Sequence, residues 1–215
     1  MFITFEGIDG SGKSTLIKKL YHYLQNEFPK KEIILTREPG GFQVREAEII
    51  RNLLLDKKYE ISKFTEVILF AASRRLHLEK LIWPSLQEGK IVISDRFIDS
   101  SIAYQAFGNE IDINQVEQLN NWISNKTQPD LTFWLDVPIQ QAFERKTSDN
   151  DRIEDKGNKF FSKVCSGYEY LSKKYPERII RIDALQNEDK VFEQIKKAFE
   201  EKREKLVKKW NTFQK

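Results

Sequence analysis

Apolar residues in this chain alternate between two kinds of segment. Five short runs, Phe2 to Glu6, Glu32 to Thr36, Ile91 to Ser94, Leu131 to Asp136 and Arg178 to Asp183, are apolar with little alternation. This is the pattern of strands covered on both faces, as in a parallel sheet. Between them the apolar positions recur at helical spacing. Lys13 to Glu27 carries Leu16, Leu20 and Leu24 and stops before Pro29, and Arg45 to Leu55 and Ser62 to Ile82 follow, with Ser62 as a cap. Asn114 to Ser124, Ile139 to Lys146 (with Pro138 at its first turn) and Lys159 to Lys174 are further helices. A last one is marked by Phe192, Ile195, Phe199, Leu206 and Trp210. Strand and helix in alternation, with no dividing linker, predict one α/β domain over residues 1–215: a doubly wound, three-layer, five-stranded parallel sheet. Ligands of such a sheet bind beyond the C-terminal ends of its strands.

Directly behind the first run stands Gly7-Ile8-Asp9-Gly10-Ser11-Gly12-Lys13-Ser14, a G-x-x-x-x-G-K-[ST] loop in the strand-to-helix setting that this motif requires. Its glycines let successive backbone N–H groups turn inward toward phosphate oxygens, at the positive end of the following helix. Lys13 is placed to reach the outer phosphates and the Ser14 hydroxyl to ligate Mg²⁺, so Gly7 to Ser14 with Thr15 form a candidate nucleoside-triphosphate site.

Charge adds little to this. Thirty-six Lys and Arg stand against thirty-three Asp and Glu, and the segment from Glu188 to Lys215 holds the whole surplus of three. The near-neutral remainder argues against nucleic acid as the partner. No apolar run approaches the ~18 residues of a membrane span, and Cys165, the only cysteine, permits no internal disulfide. These features lead us to expect a soluble, cytoplasmic protein.

Polar residues follow each strand where a ligand would lie. Arg37-Glu38-Pro39-Gly40-Gly41 offers a guanidinium fork held by a rigid turn, or else an ordinary surface ion pair. Asp95 is the strand-end acid that Mg²⁺ needs, and Arg96 beside it is a cation for a phosphoryl group; the bland alternative is a helix-capping pair. Phe70 and Arg74 lie four apart, as do Ser101 and Gln105, with Tyr104 adjacent. Such pairs project from one face and provide an aromatic plate and donors for a planar base, although a helical Phe is more often core.

Five blocks in register, Phe5–Thr15, Thr36–Gly41, Leu69–Arg74, Asp95–Gln105 and Asp151–Glu154, resemble bacterial thymidylate kinases over most of the chain. The resemblance implies an adenylate-kinase-like P-loop fold, a homodimer, and transfer of the γ-phosphoryl of ATP to thymidine 5′-monophosphate with Mg²⁺; the helices carrying Phe64 to Leu78 and the later apolar faces are candidates for the dimer interface. By the same resemblance Phe70 stacks on thymine, and Arg74, Ser101 and Gln105 meet its polar edge. Asp9 lies near the sugar 3′-hydroxyl, Tyr104 crowds the 2′ position, and Arg37, Arg51 and Arg96 face the acceptor phosphate with Glu38 nearby.

Two departures stand out. The P-loop holds no base before Lys13, which places this chain with relatives that supply cations from a lid, here short and spanning about 145–157. Arg145 and Arg152 are the candidates for the transferring phosphoryl, with Lys146 behind them, and a pair with Glu154 or Asp155 is the alternative for Arg152. Phe42 stands where a threonine-like residue is common. Among rivals, another nucleotide kinase or a deoxynucleoside kinase shares Lys13 and Asp95, and the nucleoside kinase also needs an acid such as Glu6 or Glu38 near a 5′-hydroxyl. A P-loop switch protein needs N/T-K-x-D, and Asn125-Lys126-Thr127-Gln128 lacks the acid.

Overall fold

The computed structural model describes residues 1–146 and 151–212. Strands β1 (Phe2–Glu6), β2 (Ile33–Arg37), β3 (Ile91–Asp95), β4 (Leu131–Asp136) and β5 (Ile179–Asp183) form one parallel sheet in the order β2-β3-β1-β4-β5. The ends of the apolar runs move by a residue or so, because pairing rather than hydropathy sets a strand's limit; β2 and β3 extend to Arg37 and Asp95. The three central strands are buried almost throughout, and the side chains of β1 and β3 alternate between two cores. Ile3, Phe5, Ile91 and Ile93 point into the larger core, whereas Phe2 and Val92 join Leu78, Ile82, Phe97 and Ile98 on the opposite face.

Helix α1 (Lys13–Glu27) lays Leu16, Ile17, Leu20 and Leu24 against the larger core. Leu20 and Leu24 are fully buried, each contributing about 1.5–3 kcal/mol relative to exposure. The long last helix, α9 (Glu188–Thr212), packs on α1 through Val191, Ile195 and Phe199. Ion pairs from Lys19 to Glu188 and from Arg203 to Glu27 border that contact, at 2.7 Å each. No described helix is long and apolar enough to cross a membrane.

The other elements that build the site follow β2, β3 and β4. Helix α2 (Arg45–Leu55) packs on α3 (Lys63–His77), whose Ser62 cap accepts a hydrogen bond from Thr65 N at 3.2 Å. The chain continues through a wider turn over Leu78–Ile82 into α4 (Trp83–Gln87). After β3 comes α5 (Ile98–Ser101), extended by wide turns over Ile102–Gly108, where Asn109 N donates to the carbonyl of Tyr104 at 2.9 Å. Helices α6 (Ile113–Ile123), α7 (Ile139–Arg145) and α8 (Gly157–Lys174) complete the layers. At Gly167 a Cβ would stand 2.8 Å from Ala103 Cα, so glycine there lets α8 approach the Ile102–Gly108 segment. Residues 147–150, part of the predicted lid, lie outside the described residues.

Candidate active site

In-register pairing of Arg37 with Asp95 and of Asp95 with Phe5 brings three strand ends together at one edge of the sheet. The P-loop rises from that edge. Gly10 has φ 84°, and a Cβ on it would meet the Ala142 carbonyl at 1.9 Å, so the loop passes close under α7 only because this residue is glycine. Gly12, at φ 92°, turns the chain into α1. The ammonium of Lys13 is buried and donates to the carbonyls of Gly7 and Ile8 at 3.1 and 3.0 Å, with Asp9 3.6 Å away. Burial, and next the charge of Arg96, draws its pKa down against the pull of Asp9, Asp95 and Glu6. Ser14 and Thr15 are exposed at the start of α1.

Beside the loop opens a cavity of about 490 Å³, within the range that encloses small ligands. Phe70, Arg74, Ser101, Tyr104 and Gln105 all line it, together with Asp9, Glu38, Arg51 and Arg96. The four-residue spacings in α3 and at Ser101 to Gln105 therefore converge on one space. Arg74 is held there by a buried network: Nε donates to Glu38 Oε2 at 2.6 Å, one terminal nitrogen to Asn120 Oδ1 at 2.7 Å, and the other to the Phe97 carbonyl at 3.2 Å. His77 bonds Glu38 at 3.2 Å and Thr36 at 2.6 Å, completing a chain from β2 to α6.

Arg96 has φ 71°, a backbone region that a non-glycine residue enters only when its surroundings demand it. Its guanidinium donates to Asp9 Oδ1 at 3.0 Å and to Tyr168 Oη at 3.2 Å, and stands 5.0 Å over the Tyr104 ring. Burial works against the Asp9 carboxylate, but Arg96 and then Lys13 overcome it and hold its pKa well below the usual range. Behind Arg96 lies Glu6, fully buried, which accepts from Phe97 N (2.8 Å), Ser100 Oγ (2.5 Å) and Tyr168 Oη (2.9 Å). Burial, and then the charge of Asp99, raises its pKa from 4.5 to about 7.

Three buried oxygens at the site have no hydrogen-bond partner: Ser11 Oγ, Asp95 Oδ1 and Tyr104 Oη. Arg37 lies apart from the cavity lining, paired with Glu48 at 2.9 Å and stacked on Phe42 at 4.3 Å. Arg51 donates to the Pro39 carbonyl at 2.9 Å. Phe42, which broke the sequence pattern, thus covers a guanidinium face.

The predicted lid cations separate. Arg145 donates to the Ala184 carbonyl at 2.9 Å and lines a second cavity of about 320 Å³ with Ser11, Gly12 and Thr15. Arg152 is tied to the Leu54 carbonyl at 2.7 Å and to Glu66 at 2.8 Å, instead of to Glu154 or Asp155. Of the three, Lys146 alone lines the 490 Å³ cavity, bonded to Glu154 at 2.5 Å. Sequence reasoning missed the cavity-lining Asp151, Ile153 and Glu154 as individual site residues, and Glu66 altogether. Glu6 had one visible signal, a charge closing an apolar strand just before the P-loop.

Known proteins share this sequence and fold. A sequence model of the family described as thymidylate kinase matches residues 5–195. The chain belongs to the thymidylate kinase family. The thymidylate kinase of Mesomycoplasma hyopneumoniae strain J is 51% identical over 204 residues, 93% of this chain and 96% of that protein. That of Acinetobacter baumannii strain SDF is 45% identical, spanning 90% of this chain and 97% of its own length. The crystal structure of thymidylate kinase from Ehrlichia chaffeensis superimposes with a TM-score of 0.75 at 38% identity, covering 93% of this chain and 98% of that one.

Proposed function

We propose that the chain transfers the γ-phosphoryl group of ATP to thymidine 5′-monophosphate, giving the diphosphate, across the gap between its two cavities. The observation that carries this is the 490 Å³ cavity, which joins an aromatic plate (Phe70), a base-edge donor (Arg74) and phosphate-facing cations (Arg51, Arg96) with the P-loop residues Asp9 and Gly10. ATP lies along Gly7 to Thr15, with its base in the smaller cavity against Arg145. Thymine stacks on Phe70, with Arg74, Ser101 and Gln105 at its edge. Asp9 and Tyr104 flank the sugar, and Arg51 and Arg96 bind the acceptor phosphate, with Glu38 steadying Arg74.

A phosphate oxygen is already a nucleophile at neutral pH, so positioning and charge neutralisation carry the reaction. Lys13 exchanges its bonds to the Gly7 and Ile8 carbonyls for phosphate oxygens, and Arg96 neutralises charge on the acceptor side. Lys146 takes the place at the transferring group for which Arg145 and Arg152 were candidates, because of the three it alone lines the 490 Å³ cavity. The donor set fits Mg²⁺: Asp95 Oδ1 is buried without a partner at the end of β3, and Ser14 is exposed at the start of α1. Mg²⁺ ordinarily takes one or two protein oxygens and completes its shell with phosphates and water. When bound it supplies charge neutralisation on the ATP phosphates.

The acids that a deoxynucleoside kinase would need are engaged: Glu6 is sealed under Phe97, Ser100 and Tyr168, and Glu38 is paired with Arg74. Exposed Ile49, Phe64 and Ile68 on α2 and α3 form the face of a homodimer. One kinase domain with a lid at about 145–157, working in the cytoplasm without nucleic acid, completes the reading. Calorimetric titration tests the two-cavity arrangement. A non-hydrolysable ATP analogue and thymidine monophosphate each bind once, and neither displaces the other; mutual displacement refutes it.

A further inference from the structure

Glu66 lies in the first turn of α3, where an acidic residue ordinarily does no more than face the helix dipole in solvent. Here its side chain is 1% exposed. Two cations from the segment that follows residue 150 converge on it, Arg152 at 2.8 Å and Lys156 at 3.0 Å. Asn109 Nδ2 donates to Oε1 at 2.7 Å, and Gln105 Nε2 does so at 3.4 Å. Burial opposes the charge, yet Lys156, foremost among the partners, keeps the carboxyl below its ordinary pKa.

A carboxylate can only accept hydrogen bonds, so its neighbours must turn their donors toward it. Asn109 obeys this, presenting Nδ2 to Glu66 while its Oδ1 receives Lys156 Nζ at 2.9 Å. The same constraint turns the amide nitrogen of Gln105 toward Glu66 and leaves Oε1 for the cavity that Gln105 lines. An oxygen there welcomes a base whose ring nitrogen carries a proton, as in thymine and uracil. It repels cytosine, whose corresponding nitrogen is an acceptor. We infer that Glu66 is a positioning residue for acceptor selection: it fixes the Gln105 amide so that the cavity takes an imide N–H, and it anchors Arg152 and Lys156 by the same carboxylate. This rests on the placement of Gln105 at the base edge proposed above.

Glu66→Gln removes the charge and permits Gln105 to rotate. The expected result is a KM for thymidine monophosphate raised about tenfold, the value of one hydrogen bond of ~1.4 kcal/mol. Preference over deoxycytidine monophosphate falls by a similar factor, while the KM for ATP stays put. Glu66→Asp keeps the charge for Arg152 and Lys156 but draws it back from Gln105, so its loss of preference is smaller. It decides the matter alone if Glu66→Gln does not fold. A merely structural role lowers kcat through the active fraction and leaves both KM and preference intact; that result in a folded variant overturns the inference. Gln105→Ala separates the two layers. Unchanged KM for thymidine monophosphate in that variant contradicts the base-edge placement itself, whereas a raised KM there, with none in Glu66→Gln, contradicts the role of Glu66 alone.

Discussion

Removing Arg74 tests stability and recognition at once, and the two effects can be told apart. In Arg74→Ala three hydrogen bonds disappear, to Glu38, Asn120 and the Phe97 carbonyl. The Glu38 side chain, 3% exposed, then keeps only the His77 contact at 3.2 Å among its side-chain pairs. Breaking a buried pair by deleting one member costs about 3–5 kcal/mol. Against a usual domain stability of about 5–15 kcal/mol, the variant folds but with a much lower denaturation midpoint. Loss of the charged donor at the base edge costs a further ~1.5–3 kcal/mol of acceptor binding, roughly 10- to 150-fold in Kd. In the proposed arrangement ATP lies on the other side of Lys13, and its Kd changes by less than about twofold. In the double variant Arg74→Met with Glu38→Gln no charge is left stranded, so over half of the lost stability returns while acceptor binding stays weak. Urea denaturation and calorimetry on the same samples provide both readouts. Equal weakening of ATP and acceptor, or a single variant as stable as the parent, refutes the reasoning.

Glu6 makes stability depend on pH. Its native pKa of about 7 lies above the unfolded 4.5, so its contribution is fully present below about pH 4.5 and is lost as pH rises through about 7, up to about 3 kcal/mol. Glu6→Gln removes that slope in denaturation curves taken from about pH 5 to about pH 8, and parallel curves for variant and parent contradict the buried, proton-holding carboxyl. For the cations, Lys146→Ala is expected to lower kcat by about two orders of magnitude or more with little change in the KM for ATP, and Arg145→Ala to raise the KM for ATP while sparing kcat; the reverse pattern in steady-state kinetics reassigns them. Ile68→Glu places a charge on the exposed α3 face and should yield a monomer in sedimentation velocity, where an unchanged dimer removes α3 from the interface.

The parts of this site that were legible in sequence are those fixed by local geometry. Gly10 and Gly12 are needed by the backbone itself, Asp95 follows from where a strand ends, and Phe70 with Arg74 follows from helical spacing. Long-range partner choice was not legible. Arg145 and Lys146 are neighbours in sequence, yet α7 ends between them and they turn to different cavities. Arg37 reads as a phosphate clamp until tertiary structure shows Glu48 and Phe42 around it. Glu66 looks like an ordinary first-turn acid until residues from 105 to 156 gather on it. Ser101 and Gln105 reached the cavity although the turns between them are wider than those of a regular helix, since both spacings keep these residues on one side.

The most direct test of the central claim is kcat/KM of the purified chain with ATP and Mg²⁺ over a panel of acceptors: the monophosphates of thymidine, deoxycytidine, deoxyuridine and guanosine, and free thymidine. The account predicts diphosphate formation fastest with thymidine monophosphate and none from the free nucleoside. Phosphorylation of thymidine itself, or no preference for thymidine monophosphate over the cytidine and guanosine nucleotides, contradicts it.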